Sequence, residues 1–259
     1  MLALRPMIIA AFNPKGGVGK TTTAVNLATI LAGRGKSVLL VDLEPDLNAS
    51  ISLGVRRTDR RPSIAQVLRR EVRAADAVRP VEPVAGLSLI SGSPELAHMD
   101  VALRNVRQPE RRLADTIGPL AAQFDAIVLD SPAGYSLLAL SVPVAAQHLI
   151  VPVRAEYLPL ESLAQFLQWY RDRSAARAAT ARLAGIVLTM VDYRRQATRE
   201  IVDIIRAHNR RGVFRTEIPQ DPRVAEAPSH GVPLVAYAPS ARASVAYEQF
   251  TTELLKRLR

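Results

Sequence analysis

The residues with the clearest chemical purpose lie in Phe12-Asn-Pro-Lys-Gly-Gly-Val-Gly-Lys-Thr-Thr-Thr23. Three glycines, Gly16, Gly17 and Gly19, let the backbone turn until its N–H groups, that of Val18 included, converge on one point. If a helix starts just beyond, its positive end faces that point, so an anion there is stabilised twice. Lys20 adds a point charge for outer phosphates, and the Thr21 hydroxyl is a natural magnesium ligand. The next residue, Thr22, adds a second hydroxyl. Ordinary glycine turns lack Gly-Lys-Thr, so the chemistry indicated is the holding of a nucleotide.

A second group of residues is acidic. Asp42-Leu-Glu-Pro-Asp-Leu-Asn-Ala-Ser50 carries three carboxylates, Asp42, Glu44 and Asp46. Beside a phosphate site they repel the ligand unless magnesium or an attacking water lies between. Asp130, at the end of Phe124-Asp-Ala-Ile-Val-Leu-Asp130, is a further carboxylate of this kind.

Positioning these groups requires strands that end where the chemistry begins. Apolar runs at Met7–Phe12, Ser37–Val41, Val84–Ile90, Phe124–Asp130, His148–Val153 and Ala184–Thr189 read as buried strands. Helical stretches separate most of them, starting with Thr21–Ala32, which Gly33-Arg-Gly-Lys36 stops. Pro62-Ser63 opens a short helix, Glu95–Gln123 reads as helices exposing Arg104, Arg107, Arg111 and Arg112, and Pro239-Ser240 precedes a last helix. That helix places Tyr247, Phe250, Leu254 and Leu255 on a core face, and Trp169 and Tyr170 also read as core. The alternation predicts an α/β fold: a mostly parallel twisted sheet with helices on both faces. Ligands then bind at the strands' carboxyl ends. Residues 1–259 read as a single domain.

Composition narrows the function classes. With no cysteine, disulfides and cysteine-ligated iron–sulfur clusters are excluded. The start lacks the basic region and apolar length of a signal peptide. No run reaches the roughly 18 apolar residues of a spanning helix, since Pro143 and Gln147-His148 interrupt the most apolar region. A cytoplasmic location is expected. The net charge of +10 favours a polyanionic partner, nucleic acid or an acidic membrane surface. The densest basic run holds Arg194, Arg195, Arg199, Arg206, Arg210, Arg211 and Arg215. On a helix from about Ala197 to Arg211, Arg199, Arg206 and Arg210 share a face, either for phosphate contact or for solvent. The four histidines, His98, His148, His208 and His230, are scattered without metal-ligand spacing.

The phosphate loop departs from G-x-x-x-x-G-K-[ST] in having Pro14 at the first glycine and a second lysine, Lys15. Lys-Gly-Gly-x-Gly-Lys-Thr-Thr resembles the deviant Walker A loop of P-loop ATPases of the ParA/MinD superfamily. That resemblance implies ATP and Mg2+ as ligands, and a homodimer in which Lys15 reaches the partner's nucleotide; read from spacing alone, Lys15 is equally well solvated. It also implies that Asp130 is the Walker B carboxylate, holding magnesium with Thr21, and that Thr22 lies on the inner phosphate. Asp42-Leu-Glu-Pro resembles the ParA-type switch, with Glu44 in place of an Asp that positions water. Glu156-Tyr-Leu-Pro-Leu-Glu161 is similar to the family element whose first Glu faces the partner's nucleotide. Ile218-Pro-Gln-Asp-Pro-Arg-Val-Ala-Glu-Ala-Pro-Ser229 is similar to the ParA-type block that borders adenine, which carries that role to Pro219 and Asp221, with Met190 beside them. In that block Gln220 stands where relatives carry a DNA-binding arginine, and Arg223 is kept.

The expected function is an ATP-dependent dimerising switch ATPase. It would bind duplex DNA non-specifically through Arg194, Arg195, Arg199, Arg206, Arg210, Arg211 and Arg223, associate with the nucleoid, and partition or position a chromosome, plasmid or protein cargo. A ParB-like or cargo-linked adaptor would stimulate slow hydrolysis. Two alternatives stand beside it. Ser131-Pro-Ala-Gly134 is closer to MinD-type membrane-associated positioning ATPases, although the tail Lys256-Arg-Leu-Arg259 is short for a membrane foot. A metabolic phosphoryl-transfer enzyme is the other.

Overall fold

The computed structural model describes residues 6–59, 62–82, 84–155, 159–175, 181–209 and 212–259, with backbone alone for 159–163. Seven strands form one sheet: β1 (Met7–Ala11), β2 (Val38–Asp42), β3 (Arg79–Pro80), β4 (Leu87–Ile90), β5 (Ala126–Asp130), β6 (His148–Arg154) and β7 (Arg182–Thr189). Their order is β3-β4-β2-β5-β1-β6-β7. Every pairing is parallel except that of the two-residue edge strand β3, which runs antiparallel to β4.

The central strands are apolar throughout because both sheet faces are covered. Successive side chains point to opposite faces. Thus Ile9, Ala11, Val38, Leu40, Ala126 and Val128 pack with Ala24, Leu27, Ala28 and Leu31 of α1 (Lys20–Gly33) and with Tyr247, Phe250 and Leu254 of the helix Arg242–Arg257. Ile8, Ala10, Phe12, Leu39, Val41, Ile127 and Leu129 pack on the other side with Val142, Phe166, Ile201 and Ile205. Asp42 and Asp130, next in the alternation, fall on the α1 side, and the β2–β5 register sets them directly opposite each other.

Two local expectations change. Glu95–Gln123 does form helices, but short ones: the α-helical segments Met99–Ala102 and Arg112–Ile117 alternate with tight 3-10 turns at Pro94–His98, Pro109–Arg111 and Gly118–Gln123. Pro94, Pro109 and Pro119 each sit at the start of one, where proline's fixed φ and missing N–H are tolerated. The basic helix spans Gln196–His208. Arg210 and Arg211, like Glu156, lie outside the described residues.

Candidate functional site

The loop between β1 and α1 is held by contacts distant in sequence. Asn13 donates from Nδ2 to the Pro152 carbonyl (2.8 Å) and accepts at Oδ1 from the Lys15 N–H (2.9 Å). Thr189, at the end of β7, donates to the Val18 carbonyl (2.9 Å). Gly17 and Gly19 have φ of +71° and +87°, conformations that favour glycine. Gly19 caps α1, its carbonyl accepting from Thr23 N–H (3.0 Å). Lys20 is buried within this frame, its Nζ donating to the Lys15 carbonyl (3.2 Å). Burial pulls the Lys20 ammonium below the usual lysine pKa, while Glu44 and Asp130 pull it back up. Lys15 is only half-buried, and among the described residues no hydrogen bond or ion pair holds its ammonium group.

The carboxylates divide the work. Asp42 is fully buried and accepts from Glu44 N–H (3.0 Å), Ser50 N–H (2.8 Å) and the Ser50 hydroxyl (2.6 Å). Burial pushes its pKa up, and those donors hold it down. Asp130 is equally buried, yet neither of its oxygens has a hydrogen-bond partner. Burial first, and then the facing Asp42 charge, push Asp130 well above the usual carboxylate range; the nearby Thr21 hydroxyl tempers the rise without reaching hydrogen-bonding geometry. Glu44 is half-buried beside Lys20 and raised by burial.

An orphaned buried carboxylate next to a threonine hydroxyl is the donor set that Mg2+ suits. Among the described residues no three His, Asp or Glu groups converge as a protein cage. Mg2+ does not need one, because it keeps several waters and takes phosphate oxygens with one or two protein ligands. Thr21 and Asp130 therefore fit the ion, and the ion would restore the charge on Asp130.

The segments carrying Met190 and Pro219, expected to border adenine, also meet. Val191 bridges Pro219 in parallel fashion, donating to the Ile218 carbonyl (3.0 Å) and accepting from Gln220 N–H (3.0 Å). Met190 turns into this segment with φ of +53°. Asp221 has its carboxylate engaged, accepting from Arg223 N–H (3.1 Å) and, more weakly, from Ala243 N–H (3.4 Å), so it anchors two helix starts. The arginines differ in how far their charge is already engaged. Arg194 grips Asp192 with two bonds of 2.8 Å, and Arg199 donates to the Tyr193 carbonyl (2.9 Å). Arg195 is exposed nearby, 3.9 Å from Asp192. Arg206 is engaged in an ion pair with Glu217 (2.6 Å), whose other carboxylate oxygen accepts from the Tyr193 hydroxyl (2.6 Å). Arg223 is exposed at the start of a short helix.

Sequence reasoning missed Asn13, Ser50, Thr189 and Gly92. Asn13 and Ser50 carried a signal by place alone, one in the phosphate loop and the other in the acidic segment. Gly92 follows β4 and donates to the Ser50 hydroxyl (3.2 Å). A Cβ there would sit 2.6 Å from the Glu44 carbonyl oxygen and 3.1 Å from the Asp42 carboxyl carbon. Gly92→Ala must therefore displace the acidic loop. It is expected to cost about 1–3 kcal/mol of stability in thermal denaturation and to lower turnover roughly tenfold or more.

Residues 6–177 match the AAA domain family. The chain is 38% identical over 258 residues to the chromosome-partitioning ATPase Soj of Thermus thermophilus, covering 100% of this chain and 99% of that protein. It is 34% identical over 250 residues to the chromosome partitioning protein ParA of Myxococcus xanthus, covering 96% of this chain and 88% of the relative. Among solved structures, cobyrinic acid a,c-diamide synthase of Mycobacterium smegmatis, with an ATP analogue and magnesium bound, superposes with a TM-score of 0.84 at 26% identity. The match covers 98% of this chain and 96% of that one. A buried loop lysine, a threonine beside a buried aspartate, and full-length identity of this order make the chain a member of the ParA/Soj family of chromosome-partitioning ATPases.

Proposed function

We propose that this chain is an ATP-dependent dimerising switch that grips duplex DNA non-specifically and thereby positions a chromosome, plasmid or protein assembly. As a ParA/Soj family member it is a Mg2+-dependent ATP hydrolase. In the proposed cycle Lys20 and the loop amides hold the phosphates and Thr22 meets the inner one. Thr21 with Asp130 would hold magnesium, which when bound would supply positive charge to offset that of the phosphates. Asp42, fixed by Ser50, in turn fixes the Glu44 backbone, and the Glu44 carboxylate with Asp42 orders the attacking water.

The observation that carries the reading is the unequal state of two lysines on one loop. Lys20 is buried and occupied within its own chain; Lys15 is half-exposed with no partner for its ammonium among the described residues. A cation so placed suits the triphosphate of a second copy, where it offsets charge developing at the transition state. Glu156 would face the same neighbour, and Met190 and Pro219 would border adenine, with Asp221 bracing them.

For DNA, the net charge of +10 supplies the long-range attraction, and the exposed Arg195, Arg199 and Arg223 are the best-placed contacts. Arg194 and Arg206, paired with Asp192 and Glu217, have less charge to give. Two joined protomers would double the patch and act at the nucleoid in the cytoplasm. A ParB-like or cargo-linked adaptor would stimulate hydrolysis and release. The MinD-type alternative is disfavoured by the C-terminal helix. Leu254 is buried, and Arg257 lies over the Phe214 ring at 4.0 Å while donating to the Val213 carbonyl (2.6 Å), so this end is committed to the fold. Among the described residues no helix is long and apolar enough to cross a membrane.

Analytical sedimentation tests the reading. With Mg2+ and a non-hydrolysable ATP analogue the sedimenting mass should double, and with ADP it should not. Duplex DNA should co-sediment with the dimer, and its affinity should fall by roughly 10³-fold or more between about 50 and 200 mM salt. A monomer under all conditions, or DNA binding indifferent to salt, refutes it.

A further inference from the structure

We propose that Arg79 is a positioning residue for hydrolysis, acting through Ser91 and Gly92 on the acidic loop of Asp42 and Glu44. The proposal deepens the ATPase reading above and rests on it.

Arg79 lies on β3, the two-residue antiparallel edge of the sheet, and it is 5% exposed. A guanidinium is costly to bury, so a chain that needed only an edge there would be served by an apolar residue. Instead the two arms of the guanidinium reach in different directions. Nη1 donates to Asp59 Oδ2 (2.5 Å), in the segment that follows the Asn48–Ser52 helix. Nη2 donates to the buried Ser91 hydroxyl (2.5 Å), just beyond β4. One rigid, planar side chain thus ties together both segments that flank the acidic loop, a geometry lysine cannot reproduce.

Ser91 leads directly into the catalytic surroundings. Its carbonyl accepts from Ile64 N–H (2.9 Å), so its backbone is pinned from a second side. Its neighbour Gly92 donates to the Ser50 hydroxyl (3.2 Å), and that same hydroxyl donates to Asp42 Oδ2 (2.6 Å). The space a Gly92 side chain would fill is taken by the Glu44 carbonyl and the Asp42 carboxyl group. The path from Arg79 to Asp42 is therefore continuous: guanidinium, Ser91, Gly92, Ser50, carboxylate. A shift of Ser91 has no slack to dissipate in, because Gly92 already touches the loop it supports. The nucleotide-holding groups, Lys20, Thr21 and Asp130, stand outside this chain of contacts. Loosening it should disturb water positioning and leave ATP affinity intact.

Ser91→Ala is the decisive variant, since it cuts one link and leaves the Arg79–Asp59 ion pair in place. Steady-state ATP hydrolysis should show kcat lowered about tenfold with KM and ATP affinity within twofold of the parent. Arg79→Gln should lower kcat by a similar factor, and the double variant should add little, as expected for residues acting as one unit. Hydrogen exchange in the nucleotide-free protein should show the Glu44 and Ser50 amides opening at least tenfold faster in Ser91→Ala. Parental kcat in Ser91→Ala, or a loss confined to KM, overturns the proposal, as do unchanged Glu44 and Ser50 amides. Should the parent itself show no turnover, the ATPase reading fails and this inference with it; a parent that turns over beside an unaffected Ser91→Ala sinks the inference alone.

Discussion

Asp130→Asn will make the nucleotide-free protein more stable while removing its Mg2+-dependent turnover. In the parent, the Asp130 carboxyl is fully buried, faces Asp42 across adjacent strands and has no hydrogen-bond partner for either oxygen. Burial and the facing charge raise its pKa well above the usual carboxylate range. Folding therefore favours the protonated form. Its contribution to stability is fully present below the unfolded carboxylate pKa, about 3.9, and is lost as pH rises through the folded value. Asparagine keeps the shape and discards the charge. Thermal denaturation across the range from about pH 4 to pH 8 should show the two proteins alike at the acid end. The variant should gain on the parent as pH rises, reaching on the order of 1–3 kcal/mol, a few degrees to several in Tm. With Mg2+ and ATP analogue the order should reverse, because the parent binds and the variant loses a metal ligand. A variant less stable than the parent at pH 8 without nucleotide would refute the account of Asp130 as a destabilising, metal-awaiting charge.

Lys15→Gln is the second change with a large expected effect, and it separates the two lysines. On the proposed dimer the Lys15 ammonium works in the neighbouring site, so its loss should leave the affinity of a single chain for ATP nearly unchanged. Turnover should fall by roughly 10³-fold, the scale at which a cation supplied in trans stabilises phosphoryl transfer. Sedimentation should show no ATP-dependent doubling, and the parent's dependence of specific activity on protein concentration should vanish. Lys20→Gln makes the control: there the buried in-chain cation is lost and nucleotide binding itself should fail. Normal ATP-dependent dimerisation by Lys15→Gln would end the trans role. The same variant then asks whether salt-sensitive DNA binding needs the dimer, which the paired surface of Arg195, Arg199 and Arg223 requires.

What the chain's sequence determined by itself was whatever is encoded by neighbours along it. The loop from Pro14 to Thr22 is legible because its glycines, lysines and hydroxyls act within a few residues of one another. The strands β1, β2, β5, β6 and β7 are legible because apolar runs with both faces covered need no partner to be recognised. Asp42 and Asp130 could be named as strand-ending acids for the same reason. Their different states could not: Ser50 and the Glu44 N–H satisfy Asp42, whereas Asp130 is left bare, and only the β2–β5 register sets one against the other. Tertiary structure likewise decided that Asp221 braces helix starts, that Arg206 is spent on Glu217, and that Arg257 is folded onto Phe214. It also decided that Gly92 and Arg79, unremarkable in the chain, stand behind the acidic loop. Several of the deciding partners lie far along the chain, among them Asp42 for Asp130, Ala243 for Asp221, Phe214 for Arg257 and Ser50 for Gly92. A side chain's charge, burial and hydrogen-bond vacancy are properties of the space around it, and that space exists only once the sheet has closed.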